Sequence, residues 1–286
     1  MFVVAITSQI IPQVYGTSGH PVVLDGYEAD DTTYANLSEA AGRAVIDLDN
    51  LTSTAITNEA ILIEDVDYVT IQDFEMKNAN GGLYITDTVS NVTIRRCYIH
   101  TMRTKGIRVT NWDTDTSSYS SGCSYITIGG SSGQGNVIKN IGINTAGTDI
   151  VVAKATDVIT SYNKVYADNT DYGIDGISYL NGAENGLIEY NVIYGHNKSG
   201  SLGEDGIDIK DDNRSDATHD ILIRGNYIYG NQQQCMMFQT GTYNIVAIGN
   251  YCKGNGLRGN AQPEINGKYG SHDIFVISNI IEGGAG

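Results

Sequence analysis

Residues 187–193 read LIEYNVI, and the same phrase returns as LIRGNYI at 222–228 and as VAIGNYC at 246–252. Each copy has the pattern apolar-x-apolar-x-x-Asn-x-apolar. The further copies, of which the first is the loosest, lie around Asn136, Asn163 and Asn279. Successive asparagines are 27, 28, 35, 24 and 29 residues apart. An interval of this length is typical of a solenoid, in which each repeat forms one coil.

The period extends upstream, where VTIQDFEM at 69–76 and VTIRRCYI at 92–99 have Phe74 and Cys97 at the asparagine position. Each copy alternates Val, Ile and Tyr with polar residues, which predicts a short β-strand. A second set of strands is predicted between the copies, at 82–86, 106–110, 149–153, 176–180, 206–210 and 235–239. Two or three strands per repeat predict a parallel β-helix of about nine coils, with the asparagines forming a hydrogen-bonded ladder at one bend.

The composition fits an all-β solenoid and limits the classes of partner. The 286 residues include 34 Gly, 19 Tyr and only 3 Pro, and we expect residues 1–286 to form one domain. The net charge of −16 argues against nucleic acid, because phosphate contacts need clustered Lys and Arg. An acidic groove would also repel an acidic polysaccharide, and a bound cation would remove that repulsion.

The two ends of the sequence and its cysteines support further expectations. Residues 1–5, MFVVA, lack the basic start and apolar length of a signal peptide, and no apolar run approaches a membrane span. The sequence begins and ends in strand-like segments, and open coil ends favour self-association, capping by a neighbour, or continuation in a larger or untrimmed protein. The four cysteines lack zinc spacing, which leaves packing roles or a disulfide between Cys235 and Cys252.

Aligning the second set of strands by their Gly-Ile or equivalent pairs places outward residues in three rows. The first row contains Gly81, Lys105, Thr148, Asp175, Asp205 and Gln234. The second row contains Tyr84, Arg108, Val151, Ser178, Asp208 and Met237. The third row contains Thr86, Thr110, Ala153, Leu180, Lys210 and Gln239. Since adjacent strands lie about 4.8 Å apart, Asp175 and Asp205 are predicted side by side, with Asp208 and Lys210 on the same face.

These acids predict a calcium site. Two carboxylates at this separation repel each other unless one is protonated or a cation bridges them. Together with Glu204 and Asp208, Asp175 and Asp205 offer hard oxygen ligands of the kind that Ca²⁺ binds. In a chain with 33 Asp and Glu, the alternative is that these acids merely occupy turns.

The segments IDGIS at 174–178 and EDGIDIKDDN at 204–213 resemble the calcium-binding coils of polysaccharide lyase family 9. This family belongs to the pectin-lyase-like superfamily of right-handed parallel β-helices. The resemblance implies that Asp175, Glu204, Asp205 and Asp208 bind Ca²⁺, with Glu204 standing where the family has Asp. It also implies calcium-assisted β-elimination of an acidic, pectate-like polysaccharide. Across the functions that the sequence leaves open, we expect an extracellular, cell-surface or virion location.

The sequence departs from the family at the catalytic base. The family has a Lys at the position of Met237, and methionine does not accept a proton. Lys210 is the nearest candidate for the base, unless it only forms a salt bridge with neighbouring acids. Arg108 and Lys105 are candidates for holding substrate carboxylates, against the alternative of a solvated basic pair.

Aromatic side chains add a further expectation. Tyr172, Tyr179 and Tyr194 flank the predicted groove, where they either stack on sugar rings or pack within the fold. The five histidines show no metal-ligand or triad spacing and are given no chemical role.

Three functions therefore remain open. The first is a calcium-dependent polysaccharide lyase. The second is a β-helical glycoside hydrolase that uses Asp175, Asp205 and Asp208 as general acid and base. The third is a non-catalytic carbohydrate-binding or adhesion β-helix of a phage tail or cell surface, which the methionine at position 237 favours.

Overall fold

The computed structural model describes residues 5–26, 43–49, 59–110, 122–143, 147–199, 205–211, 216–257 and 263–283. These residues contain 27 strands and no helix. The strands are β1 (Ala5–Ile6), β2 (Val22–Asp25), β3 (Ala44–Asp47), β4 (Glu59–Ile63), β5 (Val69–Gln72), β6 (Phe74–Lys77), β7 (Gly81–Ile85), β8 (Ser90–Arg95), β9 (Tyr98–Met102), β10 (Lys105–Thr110), β11 (Ser124–Gly129), β12 (Val137–Ile141), β13 (Thr148–Ala153), β14 (Thr156–Ser161), β15 (Lys164–Tyr166), β16 (Asp175–Leu180), β17 (Glu184–Glu189), β18 (Val192–Tyr194), β19 (Ile207–Lys210), β20 (His219–Arg224), β21 (Tyr227–Tyr229), β22 (Met236–Gln239), β23 (Tyr243–Ile248), β24 (Tyr251–Lys253), β25 (Ile265–Lys268), β26 (His272–Ile277) and β27 (Ile280–Glu282).

The strands form three parallel sheets that run the length of the molecule. Sheet I has ten strands in the order β1-β3-β6-β9-β12-β15-β18-β21-β24-β27. Sheet II has eight, in the order β4-β7-β10-β13-β16-β19-β22-β25, and sheet III has nine, in the order β2-β5-β8-β11-β14-β17-β20-β23-β26. Each coil passes from sheet III to sheet I and then to sheet II, as β14, β15 and β16 do. The predicted right-handed parallel β-helix of about nine coils is confirmed.

Rows of identical or similar side chains fill the inside of the helix. In sheet II the row Ile107, Ile150, Ile177 and Ile207 is in register and completely buried. β-branched residues suit this position because they pack well on a pleated surface against the same residue one coil away. The inner rows fix the register, and the outward side chains of the same strands therefore repeat at the strand spacing of about 4.8 Å.

The predicted Asn ladder is present at the bend between sheets III and I. We use this name for Asn136, Asn163, Asn191, Asn226, Asn250 and Asn279. At a typical rung, Asn191 Oδ1 accepts from the backbone N (2.9 Å) and the side-chain Nδ2 (3.1 Å) of Asn163. Asn191 Nδ2 in turn donates to Asn226 Oδ1 at 3.0 Å and to the carbonyl of Thr160 at 2.9 Å. The ladder thus satisfies backbone N–H groups that the bend buries away from water.

The cysteines divide into two kinds. Cys235 and Cys252 form a disulfide, so of the two alternatives left by the sequence the covalent one holds for this pair. Cys97 and Cys123 are buried free thiols, and burial raises the pKa of each to about 12. These two thiols therefore act as packing residues, as their positions in the repeat predict.

The last described coil exposes apolar side chains. Val276, Ile280 and Ile281 are about half exposed, whereas their counterparts one coil earlier are more covered. Self-association through such an end stays a prediction, as does the assignment of residues 1–286 to one domain. No helix long and apolar enough to span a membrane occurs in the described part of the chain.

The Asn ladder predicts a large loss of stability when one inner rung is removed. Asn191→Ala leaves the backbone N–H of Asn163 and the carbonyl of Thr160 without their side-chain partner. We expect a loss of about 3 kcal/mol in the free energy of unfolding, measured by denaturant titration. Asn279→Ala, at the part-buried last rung, should cost less than half as much. Equal losses at the two rungs would contradict this account of burial.

Candidate functional site

The three outward rows predicted from the sequence are present on sheet II. Lys105 pairs with Thr148, and Thr148 pairs with Asp175. The second row is continuous and consists of Tyr84, Arg108, Val151, Ser178, Asp208 and Met237. The third row brings Leu180 beside Lys210. The register prediction is confirmed for these residues.

Three carboxylates converge on this face, and we call them the acid cluster: Asp175, Asp205 and Asp208. One oxygen from each lies within 4.8 Å of the others. Their residues are only 6%, 5% and 2% exposed, so solvent screens their repulsion weakly. The fourth predicted ligand, Glu204, lies outside the described residues. Three of the four acids are therefore brought together as predicted.

Backbone amides hold the acid cluster in place. Asp175 Oδ1 accepts from the backbone N of Asp205 at 3.1 Å, and Asp205 Oδ1 accepts from the backbone N of Gln234 at 2.8 Å. Each carboxylate is thus tied to the following coil. Asp208 Oδ1 accepts from Gln239 Nε2 at 3.0 Å. These bonds orient the acids but do not neutralise the negative charge.

The electrostatics of the acid cluster favour a bound proton or cation. Burial, followed by the charges of Asp175 and Asp208, raises the pKa of Asp205 well above its usual value. Burial also raises the pKa of Asp208 to about 6, although the ammonium of Lys210 opposes this shift. Because burial and the neighbouring negative charges disfavour the ionised forms of Asp205 and Asp208, a divalent ion would take the place of their protons.

The donor set fits a hard cation such as Ca²⁺. In addition to the carboxylates, the hydroxyl of Ser178 lies beside Asp208 in register and is buried. Its Oγ has no hydrogen-bond partner among the described residues. An unpartnered buried hydroxyl next to Asp208 is a suitable further oxygen donor for such a cation. Ser178 lies in the row predicted from the sequence but was not among the predicted ligands.

Lys210 forms the salt bridge that the sequence analysis gave as the alternative to catalysis. Its Nζ lies 3.1 Å from Asp208 Oδ2. A neighbouring carboxylate stabilises the protonated amine, which is the form that cannot accept a proton. The role of Lys210 as a base stays a prediction, and it requires this ion pair to loosen.

Two basic residues lie upstream on the same face, on β10. Lys105 Nζ donates to Thr148 Oγ1 at 3.2 Å, on the strand next to that of Asp175. Burial lowers the pKa of Lys105 to about 8, while the charge of Asp175 opposes this shift. The guanidinium of Arg108 lies 4.7 Å from the centre of the Tyr84 ring. Contact of either residue with a substrate stays a prediction.

A buried carboxyl group that the sequence analysis missed lies at the far end of the first row. Glu59 pairs with Gly81, which pairs with Lys105. Burial raises the pKa of Glu59 to about 7, and Glu59 Oε1 accepts from Asn80 Nδ2 at 3.3 Å. Alignment of the strand EAILI at 59–63 with GGLYI at 81–85 would have placed it.

Of the three tyrosines considered for sugar stacking, two have no free ring face. Tyr179 is completely buried, and its hydroxyl lies 3.0 Å from Thr160 Oγ1, so the stacking role is wrong for Tyr179. Tyr194 lies on sheet I between the rings of Tyr166 and Tyr229, with centroids 4.8 and 4.7 Å away. Both faces of Tyr194 are therefore occupied. Tyr172 is half-buried, and its role stays a prediction.

Comparison with solved structures finds parallel β-helix proteins. An alginate lyase from Paenibacillus sp. str. FPU-7 is similar with a TM-score of 0.71 and 15% identity, over 98% of this chain and 88% of that one. Pectate lyase Pel9A is similar with a TM-score of 0.61 and 15% identity, over 98% and 65% of the two chains. The A-module of the Azotobacter vinelandii mannuronan C-5 epimerase AlgE4 has a TM-score of 0.54 and 15% identity, over 86% and 78%.

No protein-family profile matches the sequence, and no curated protein matches it. At 15% identity, similarity to solved structures establishes the fold alone. The chain is a right-handed parallel β-helix of the kind found in these carbohydrate-active proteins.

The raised pKa of Asp205 predicts a stability that falls with pH. The folded state favours the protonated carboxyl, so the stability from this group is present at low pH and is lost as pH rises through its pKa. Asp205→Asn removes the negative charge and keeps a carbonyl oxygen that accepts the hydrogen bond from the backbone N–H of Gln234. Without divalent ions, we expect this variant to be more stable than the wild type by at least about 1 kcal/mol near pH 8, with the gain vanishing toward about pH 4.

Chemical unfolding in chelator at several pH values measures this difference. Asp171→Asn, at an exposed position, is the matched control and should show no such gain. Addition of Ca²⁺ should reverse the order by stabilising only the proteins with an intact acid cluster. If the wild type stayed more stable than the Asp205→Asn variant at every pH, the claim that the ionised form of Asp205 destabilises the folded protein would be contradicted.

Proposed function

We propose that this protein is a calcium-dependent polysaccharide lyase that cleaves a uronic-acid polysaccharide, pectate-like in its charge, by β-elimination. The acid cluster is the observation that carries the proposal. Its carboxylates lie within 4.8 Å of one another, are buried, and belong to consecutive coils. The fold supports the proposal too, because the alginate lyase, pectate lyase and mannuronan epimerase named above act on polymers of uronic acids.

In this proposal Asp175, Asp205 and Asp208 hold Ca²⁺, with Ser178 as a neutral oxygen ligand and Glu204 as the predicted fourth acid. A cation held by these residues would supply positive charge that offsets the substrate carboxylate and makes the C5 proton more acidic. The backbone bonds from Asp205 to Asp175 and from Gln234 to Asp205 keep the carboxylates oriented before the cation arrives. Such preorganisation lowers the cost of assembling the site.

The chemical step needs a neutral amine. The amine takes the C5 proton, the electron pair forms the C4–C5 double bond, the C4–O bond breaks, and the departing oxygen takes a proton from solvent. Lys210 is the proposed acceptor. If Asp208 were shared with a bound cation, its ion pair with Lys210, 3.1 Å long in the structure, would be weaker and the amine would be easier to deprotonate.

Lys105 is the second candidate for the acceptor. Its pKa of about 8 leaves a larger neutral fraction near neutral pH than an ordinary lysine has. Its hydrogen bond to Thr148 directs the amine toward the strand of Asp175. If Lys210 is the acceptor, Lys105 and Arg108 instead hold carboxylates of neighbouring sugars on the same face.

Two observations keep the alternatives in view. Met237 is buried beside Asp208 in register, at the position where the resembling family has its lysine, and this favours a protein that binds without cleaving. One oxygen of each carboxylate lies within 4.8 Å of the others, which is shorter than the separation of about 6.5–9.5 Å between the carboxyl groups of inverting glycosidases, so a hydrolase here would match the retaining kind better.

An assay of uronate polymers decides among these functions. Pectate, alginate and a glycosaminoglycan are each incubated with the protein, with and without Ca²⁺. We expect ultraviolet absorbance from an unsaturated uronate with at least one of them, abolished by chelator and reduced at least ~100-fold by Asp205→Asn. Reducing ends without unsaturation and without calcium dependence would indicate the hydrolase, and binding without product would indicate the non-catalytic module.

The same assay with the variants Lys210→Met and Lys105→Met distinguishes the roles of the two lysines. Loss of the acceptor should lower kcat by ~100-fold or more, because no other amine replaces it. Loss of a carboxylate-holding lysine should act mainly on KM. If both variants changed KM alone, the proton would have to go to a different group.

A further inference from the structure

A second ladder of buried side chains lies at the bend between sheets I and II. We call it the second ladder; it consists of His196, Asn231 and Asn255 and is separate from the Asn ladder. Asn255 Oδ1 accepts from the backbone N (3.1 Å) and Nδ2 (2.9 Å) of Asn231. Asn231 Oδ1 accepts from the backbone N of His196 at 3.1 Å and lies 2.9 Å from His196 Nδ1.

Both ends of the second ladder meet a buried carboxyl group. At one end Glu264 accepts from the backbone N (3.1 Å) and Nδ2 (2.8 Å) of Asn255. At the other end His196 Nε2 lies 3.2 Å from Asp149 Oδ2. His196 and Asp149 are both completely buried. A buried acid and a buried imidazole thus face each other with no solvent between them.

Backbone amides fix the direction of the second ladder. A backbone N–H only donates, so the Asn231 atom that faces the backbone N of His196 must be the carbonyl oxygen. His196 Nδ1 faces this same oxygen and must therefore carry a proton. Because Nδ1 is protonated, Nε2 and Asp149 share one proton, as imidazolium with carboxylate or as imidazole with carboxylic acid. In both forms the pair has no net charge.

The pKa shifts agree with a shared proton. Burial raises the pKa of Asp149 to about 6, and the hydrogen bond from His196 only partly offsets this. For His196, burial alone would lower the pKa, but the hydrogen bond and charge of Asp149 outweigh it, and the net pKa is raised. The other charged groups that act on the pair are Lys105 and Asp175. Asp175 belongs to the acid cluster.

His196 lies directly against the segment that carries Asp175. A Cβ placed on Gly173 would be 3.1 Å from His196 Cδ2, and one placed on Gly176 would be 3.2 Å from His196 Cε1. The ring therefore supports residues 173–176 from the inside, at two points on either side of Asp175 in the sequence. Any larger residue at 176 would also meet Ile193 Cγ2 at 2.5 Å.

We propose that His196 is a positioning residue of the cation site: anchored by Asp149 on one side and by Asn231 on the other, its ring fixes the 173–176 segment and so holds the carboxylate of Asp175 in the acid cluster. This role rests on the proposed cation site. His196 itself does not touch the cation or the substrate, and it acts through the backbone of Gly173 and Gly176.

Calcium titration by calorimetry tests this role in the chain of 286 residues. We expect His196→Ala to weaken Ca²⁺ binding by ~10-fold or more, as loss of a group that supports a ligand does. His196→Asn can continue the second ladder through Asn231 but cannot reach Asp149 or fill the ring volume. His196→Asn should therefore restore the stability of the fold but not the affinity for Ca²⁺. If His196→Ala does not fold, the test is made with His196→Asn.

The matched control is Asn191→Ala, which removes a buried amide five residues away in the Asn ladder. It should lower stability but leave Ca²⁺ affinity within about twofold, because the Asn ladder lies at the bend between sheets III and I whereas residues 173–176 lie at the bend between sheets I and II. Equal changes in affinity for the variants at 191 and 196, or no change for either, would overturn the positioning role. A wild type that takes up no Ca²⁺ would instead overturn the proposed function, and the role of His196 with it.

Nitrogen NMR of the imidazole gives a readout that does not depend on the cation. We expect His196 Nδ1 to stay protonated throughout the pH range in which the protein is folded, whereas neutral histidine in solution favours the Nε2–H form. Detection of the Nε2–H form with a bare Nδ1 would show that the anchor to Asn231 is absent. That result would overturn the proposal even if Ca²⁺ binds.

Discussion

In-register stacking of parallel coils is the constraint on which the rest of this structure depends. Each paired strand residue lies beside the residue at the same position of the next coil, about 4.8 Å away. Apolar residues gain from this arrangement, as the inner isoleucine row of sheet II shows. Side-chain amides are also stabilised by stacking, because the oxygen of each amide accepts a hydrogen bond from one neighbour and its nitrogen donates one to the next. Stacked carboxylates are destabilised, since their like charges repel each other. A stacked pair of acids therefore needs a bound proton or a bound cation.

The same constraint explains how much could be predicted from the sequence. The Gly-Ile or equivalent pairs aligned six of the eight strands of sheet II, so the outward rows followed without structural information, and Asp175, Asp205 and Asp208 were placed together correctly. The alignment also contained the answer for Tyr179, which lies between the outward positions 178 and 180 and thus in an inner row. The sugar-stacking alternative considered for it ignored that alternation.

The second ladder escaped prediction because its residues change identity. The ladder residues follow the Asn ladder at a constant offset of five, which joins Asn191 to His196, Asn226 to Asn231, and Asn250 to Asn255. The first position of the second ladder is a histidine, His196, so asparagine does not repeat at all three positions. No metal-ligand or triad spacing draws attention to this histidine. The proton on Nδ1 follows only from the direction of the backbone N–H groups, which a sequence pattern does not contain. The partner, Asp149, lies 47 residues away in the chain.

Two Asp-Gly pairs of this chain contribute both to the acid cluster and to the packing around the second ladder. In Asp175-Gly176 and Asp205-Gly206 the aspartate joins the acid cluster on the outside. A Cβ on Gly206 would meet Asn231 Nδ2 at 3.1 Å, just as one on Gly176 would meet His196, so both glycines make room for the second ladder on the inside. Asp-Gly is a common turn signal. Here the pair instead couples an outer charge to an inner support, because a side chain added at the glycine would press on the second ladder and so displace the backbone that carries the neighbouring carboxylate.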